Sequence, residues 1–229
     1  MSELKKSELV ALAKNCSENY QYVNAIAHMR DVIRMGFPLN IDERELIYES
    51  FNGLKAATSE ILEDGNKIDE KLESSLIINA KEAICDLCKD AIYFLEENPV
   101  EKDISREAVA DHKHFKAMQY KDLAAYTTKG SNEDYKNKAL ELFEEAMEDA
   151  NKYLNPAHPV RIQIALSLSQ FHYFVLDNFN DAYEIASEAY DEGCEEVYNM
   201  IASLNDAAEF WFNELMEHVF HLLDIEDTL

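Results

Sequence analysis

Apolar residues along the chain recur at three- and four-residue spacing, in helix-length segments separated by a handful of breakers. The joints are Gly36-Phe37-Pro38, Gly65-Asn66, Asn98-Pro99, Gly130-Ser131 and Asn155-Pro156-Ala157-His158-Pro159. After Gly130, the residues Tyr135, Ala139, Leu142, Phe143, Ala146, Ala150 and Tyr153 share one face, while Lys136, Glu141, Glu144, Glu148 and Asp149 populate the rest. That is an amphipathic helix packed on a partner. The pattern predicts nine helices, over about 4–18, 21–35, 41–64, 71–97, 105–128, 132–153, 160–177, 180–194 and 197–222. Asn40 with Glu43, and Ser131 with Asp134, have the spacing of a capping side chain and an acid three residues on. Short joints favour antiparallel neighbours, so the fold class expected is all-α, with nine antiparallel helices.

Three places put an aromatic before small residues, as close-packed helical hairpins require: Tyr22 with Ala25, Ile26 and Met29; Tyr135 with Ala139, Phe143 and Ala146; Phe179 with Ala182, Ala186 and Ala189. The anchors Ala25, Ala139 and Ala182 lie 114 and 43 residues apart. A tetratricopeptide array repeats every ~34 residues, so no regular array is supported and only solenoid-like packing without strict repeats remains.

Composition narrows the choice further. Only 5 Gly and 4 Pro occur in 229 residues, too few for the tight turns of a sandwich or barrel. With 47% apolar residues the chain has material for one domain, whole or in two lobes. Forty-six Asp and Glu against 21 Lys and Arg give a net charge of −25, which repels nucleic-acid phosphates and anionic membrane surfaces. The amino terminus MSELKKSELV has no signal-peptide core, and the longest uncharged stretch, Ile162 to Leu176, is too short and polar to span a bilayer. The expectation is a cytoplasmic protein that binds neither nucleic acid nor membrane.

Candidate chemistry is sparse. Cys85 and Cys88 have the one cysteine spacing suited to redox or metal chemistry. They sit inside a helical run, and a zinc site needs a second pair, so buried helix thiols are the plainer reading. His218 and His221, with Glu214 and Glu217, fall within one or two turns of the last helix, where surface or groove histidines are the plainer reading than metal ligands. No phosphate loop, GxSxG or HExxH occurs. The expectation is a non-enzyme without cofactor.

At residues 155–173 the stretch NPAHPVRIQIALSLSQFHY resembles a hallmark of the 14-3-3 family, matching it at Pro156, His158, Pro159, Arg161, Ala165, Leu166, Ser169, Phe171 and Tyr173. The resemblance continues through Glu8, Leu9, Val10 and Tyr22, through Glu43, Arg44, Leu46 and Phe51, and through Asp86, Cys88 and Asp90. Asp122 and Tyr126 extend it, as do Ala182, Ala186, Ala189, Asp191 and Glu192. Residues 197–229 align loosely. The resemblance implies one domain over 1–229, with the first four helices serving dimerisation and the groove floor, the last five completing the groove, and a short acidic tail from about 223. It implies a dimeric, non-catalytic signalling adaptor that binds phosphoserine or phosphothreonine peptides in an amphipathic groove lined by the third, fifth, seventh and ninth helices.

A dianionic phosphate needs convergent cations. The family supplies a Lys and an Arg seven residues apart on the third helix and an Arg-Tyr pair on the fifth. Here those positions read Asn52, Ser59 and Ala125-Tyr126, so only Tyr126 matches. The groove Asn of the seventh helix reads Ser167, and on the ninth a groove Asn falls at His218 and a groove Leu at Glu214. Charge-assisted hydrogen bonds contribute about 1.5–3 kcal/mol each, so losing three costs on the order of 5 kcal/mol, a factor of several thousand in affinity. Lys55, three residues after Asn52 and four before Ser59, is the candidate substitute cation; its other reading is a solvated surface lysine. His218 is a further candidate, charged mainly below about pH 6.5. Tyr126 has two readings, a retained ligand contact or a buried aromatic with its hydroxyl satisfied.

Dimerisation in the family uses acid–base pairs between the first two helices of one subunit and the fourth of the other. Glu8 is kept, but the paired positions read Gln21 with Ala83 and Asn24 with Asn79. Leu9, Val10, Leu12 and Ala13 exceed what a short helix needs for its own core, which suits an apolar homodimer. Thr228, next to the carboxyl terminus, resembles the phosphorylated terminal ligands the family accepts; its other reading is a frayed acidic end. The function expected is therefore an adaptor for protein partners with phosphate recognition weakened or lost. A helical-hairpin scaffold without phosphopeptide binding is the alternative.

Overall fold

The computed structural model describes residues 3–65, 70–100, 105–127, 132–200 and 206–226. Among them are nine helices and no strand: α1 (Glu3–Glu18), α2 (Tyr22–Arg34), α3 (Ile41–Gly65), α4 (Glu70–Glu97), α5 (Arg106–Tyr126), α6 (Asn132–Tyr153), α7 (Pro159–Phe174), α8 (Phe179–Met200) and α9 (Asp206–Glu226). The chain divides into two compact units. The first takes 1–99 and 122–130, so it holds α1 to α4 and the last residues of α5, and the second takes 100–121 and 131–229.

In the first unit, α2 buries Ala25, Ile26, Met29 and Val32 on one stripe and ends at Gly36, whose φ of +76° a side chain would resist. α3 starts in the expected capping box. The Glu43 amide donates to Asn40 Oδ1 at 2.9 Å, and the Asn40 amide donates back to Glu43 Oε2 at 3.0 Å. Glu43 also receives Lys6 Nζ at 2.8 Å, which ties α1 to this turn. One close approach is set by glycine: a Cβ on Gly53 of α3 would lie 2.3 Å from the Tyr22 ring of α2. Arg44, buried on α3, donates to the carbonyls of Asn98 and Pro99 and so fastens the end of α4. Cys85 and Cys88 are buried on α4, and Cys85 Sγ lies 3.7 Å from Thr127 Oγ1.

In the second unit α6 buries Ala139, Leu142, Phe143, Ala146 and Ala150 as its periodicity predicts. Tyr153 at its end is exposed, with the Arg106 guanidinium 4.6 Å above its ring. α7 begins where the Asn-Pro-Ala-His-Pro joint requires: Pro159 is its first residue and His158 Nδ1 accepts the Val160 amide. Ile162, Ala165 and Leu166 of α7, Ala182, Ala186 and Ala189 of α8, and Leu215, Val219 and Leu222 of α9 form one core cluster. The small residues of α8 let helix axes approach.

Four boundaries differ from expectation by three residues or more; one is the end of α9, at Glu226 rather than 222. α7 stops at Phe174 rather than 177: the Leu176 and Asn178 amides bond back to the carbonyls of Phe171 and His172, and Asp177 adopts a φ of +52°. α8 runs past the expected 194 to Met200, and α9 starts at Asp206 rather than 197. Gly193 invites a helix stop, but its missing side chain makes room for the Phe212 ring, which an added Cβ would meet at 2.8 Å. Asn66, Gly130, Ser131 and Thr228, for which a joint, a cap or a modification was expected, lie outside the described residues.

Candidate functional site

The positions singled out by the phosphate clamp fall in the first unit, on α3 and the end of α5. Seven residues separate Asn52 from Ser59, two helical turns, so the two share a side of α3 with Lys55 between them. Asn52 and Ala125 are exposed, and Ser59 is half-buried. Lys55 is not a solvated surface lysine. Its residue is only 9% exposed, and Nζ lies 2.8 Å from Asp122 Oδ2 on α5. A buried ammonium demands such a partner, because desolvating it alone costs several kcal/mol.

One turn beyond Asp122, Tyr126 shares a hydrogen bond with Ser59. Partial burial pushes its hydroxyl above the ordinary tyrosine range, the Asp122 carboxylate pushes the same way, and the Ser59 bond opposes them. Tyr126 is therefore a neutral hydroxyl at physiological pH. The floor of this site is thus an amide, two hydroxyls and a closed ammonium–carboxylate pair.

The remaining aligned positions lie in the second unit, where Ser167 and His218 are turned inward and Glu214 is exposed. Ser167 Oγ is 2.9 Å from Nε2 of His114, a buried histidine of α5 whose pKa is lowered to about 3, by burial first and by the Lys121 charge second. Ser169 Oγ donates to the Ala182 carbonyl at 2.6 Å and meets His218 Nε2 at 2.9 Å. With the serine proton directed at Ala182, His218 carries its own on Nε2 and donates it to Ser169. His218 is buried rather than at the surface, and burial, then the neighbouring His221, lowers its pKa. It is neutral near pH 7. Glu214 and His221 are exposed on α9, and the His221 ring stands edge-on to Tyr173. Among the described residues, no group of three or more His, Cys, Asp and Glu side chains is placed to hold a metal.

Sequence reasoning missed His114. Its signal was present, since Ala110, His114 and Ala117 at spacings of four and three form a buried stripe on α5 that includes the imidazole.

The described residues form nine helices in this order, with alanines buried along α2, α6 and α8. The 14-3-3 protein family matches residues 12–216, and the chain belongs to that family of non-catalytic adaptors. It is 25% identical over 203 residues to "14-3-3 protein 2" of Entamoeba histolytica, covering 84% of this chain and 85% of the relative. It is 24% identical over 203 residues to "14-3-3-like protein B" of Vicia faba, covering 84% and 78%. To "14-3-3 protein beta/alpha" of Xenopus tropicalis it is 25% identical over 201 residues, covering 84% and 82%. No helix among the described residues is long and apolar enough to cross a membrane.

Proposed function

We propose that this chain works as a single 14-3-3 domain over 1–229, a cytoplasmic homodimeric adaptor whose partners are held without a contribution from phosphate. The observation that carries the reading is the Lys55–Asp122 pair. The Lys55 ammonium, set between the clamp positions of α3, is already neutralised at 2.8 Å, while Asn52, Ser59 and Ala125 bring no charge. A phosphate entering such a site would shed hydration worth many kcal/mol and recover only neutral hydrogen bonds. Lys55 would have to abandon Asp122 to help, leaving a carboxylate beside the dianion. Tyr126 is the family contact that remains, offering a hydroxyl to a neutral ligand group.

Homodimerisation is supported by exposed apolar side chains on α1 and α2: Leu4 is 71% exposed, Leu12 50% and Val23 64%. Apolar contact of this kind does not need the ion pairs missing at Gln21, Ala83, Asn24 and Asn79.

Titration of a labelled client peptide, with and without phosphoserine, tests the reading. Affinities within about threefold of one another are expected, since the phosphate gains no charge-assisted bond. Tight binding of the phosphorylated form alone refutes it.

A further inference from the structure

The last helix presents a face that its own unit leaves uncovered. Leu215, Val219 and Leu222 point α9 into the core, and on the opposite side Phe210 and Phe220 are each 54% exposed. Ten residues of helix put these rings about 15 Å apart along the axis. Between and beside them Glu209, Glu214 and Glu217 are exposed as well. Among the described residues no ion pair reaches these three acids. Their surroundings in sequence explain why: from Ile162 to Leu229 the chain has 15 Asp and Glu and not one Lys or Arg.

Half-exposed phenylalanines on a helix face are stabilised by apolar cover, and three unpaired carboxylates among them select what supplies it. A second copy of this face would bring the same acids against these, and a phosphorylated segment would bring a dianion; both are repelled. We infer that the Phe210–Phe220 face of α9 docks an unphosphorylated basic segment of a partner protein, with Lys or Arg and apolar side chains interleaved over two to three turns. The apolar side chains cover Phe210 and Phe220, and the cations pair with Glu209, Glu214 and Glu217. This rests on the adaptor reading above, and it adds the chemistry of the partner.

The test is fluorescence anisotropy with a labelled synthetic peptide of leucines and lysines at helical spacing, titrated with the full chain. The triple variant Glu209→Gln, Glu214→Gln, Glu217→Gln and the double variant Phe210→Ser, Phe220→Ser are each expected to weaken binding about tenfold or more, and raising salt from about 50 to 300 mM weakens binding to the unmodified chain further. All five positions are exposed, so these variants fold. Glu184→Gln, Glu188→Gln, Asp191→Asn removes as much charge from the exposed side of α8 and is expected to change affinity by less than about twofold.

Equal losses from the α8 and α9 triples would mean the peptide feels only the net charge, and an unaffected Phe double variant would mean the rings are not covered; either overturns the inference, as does failure to bind. A phosphoserine peptide titrated alongside separates the two proposals. If it binds tightly and the α9 variants leave that binding intact, phosphate independence fails while the basic-segment site stands or falls on its own arm.

Discussion

Replacing His114 by glutamine isolates one proton. The imidazole is buried between α5 and α7, with Nε2 at 2.9 Å from Ser167 Oγ and its ring 6.0 Å from that of Phe143, and its folded pKa lies near 3 against about 6.5 in the unfolded chain. Because the folded value is the lower one, the unfolded state takes up the proton first as pH falls. Stability from this group is complete above about pH 6.5 and drains by about 1.4 kcal/mol per pH unit below it, until the folded form also protonates near pH 3. Between pH 7 and pH 5 the loss is about 2 kcal/mol, and over the whole window on the order of 5 kcal/mol. Either is a large share of the 5–15 kcal/mol typical of a domain.

Glutamine places an amide nitrogen close to where Nε2 sat, keeps a bond to Ser167 and cannot titrate. His114→Gln is therefore expected to be about 1 kcal/mol less stable at pH 7, from lost ring packing, yet to lose about 2 kcal/mol less than the unmodified chain on going to pH 5. Urea unfolding followed by the single tryptophan, Trp211 on α9 in the same unit as His114, measures this directly. His172 and His218, whose pKa values burial also lowers, are present in both proteins and cancel in the difference, as do the carboxylates. Parallel losses of stability in the two proteins between pH 7 and 5 would show that His114 is not buried neutral, and the Ser167 geometry would have to be abandoned.

Other expectations follow from single contacts. Gly53→Ala drives a methyl into the Tyr22 ring and should lower stability by about 1–3 kcal/mol in thermal or urea unfolding, with most of that recovered when Tyr22 is shortened to Leu. Lys55→Met strips Asp122 of its ammonium and should cost about 1–3 kcal/mol, whereas adding Asp122→Leu to it should restore much of the loss, a double-mutant comparison that separates a buried ion pair from a surface one. Light scattering at tens of micromolar should give about twice the 26.3 kDa of one chain, unchanged in high salt, and Leu12→Glu with Val23→Glu should halve it.

What could be read from residue order was whatever local spacing encodes. The α3 capping box follows from Asn40 and Glu43, and the start of α7 from His158-Pro159, because both are settled within one helical turn. The buried stripe of α6 follows from its period. Gly193 was opaque for the opposite reason: whether a glycine ends a helix or admits a neighbour's ring depends on Phe212, nineteen residues on. The same holds for Lys55, whose partner Asp122 is 67 residues away, so its sequence neighbourhood fits a solvated lysine equally well. His114 and Ser167, 53 residues apart, became a pair only when α5 and α7 packed. Positions were legible to the extent that their partners lay on the same helix.

The proposed loss of phosphate recognition has two electrostatic causes, the local absence of clamp cations and the field of a chain carrying −25, and one variant pulls them apart. Asn52→Lys, Ser59→Arg and Ala125→Arg together put three cations at the clamp but move the net charge only from −25 to −22. If the local site governs, phosphoserine-dependent affinity should rise by on the order of a thousandfold, as three charge-assisted bonds would supply, and it should persist in about 0.3 M salt, because short-range pairs in a partly desolvated site are poorly screened. If the long-range field governs, the triple variant should still bind weakly at low salt and improve as salt rises, since screening then removes repulsion from an anionic ligand. The Lys55–Asp122 pair favours the first outcome, because it shows the site already holding one cation at 2.8 Å with a carboxylate that Ser59→Arg would otherwise compete for. Adding Asp122→Asn to the triple variant should then raise phosphate affinity further by freeing Lys55; a fall instead would mean that Asp122 is needed to hold the new arginines in place.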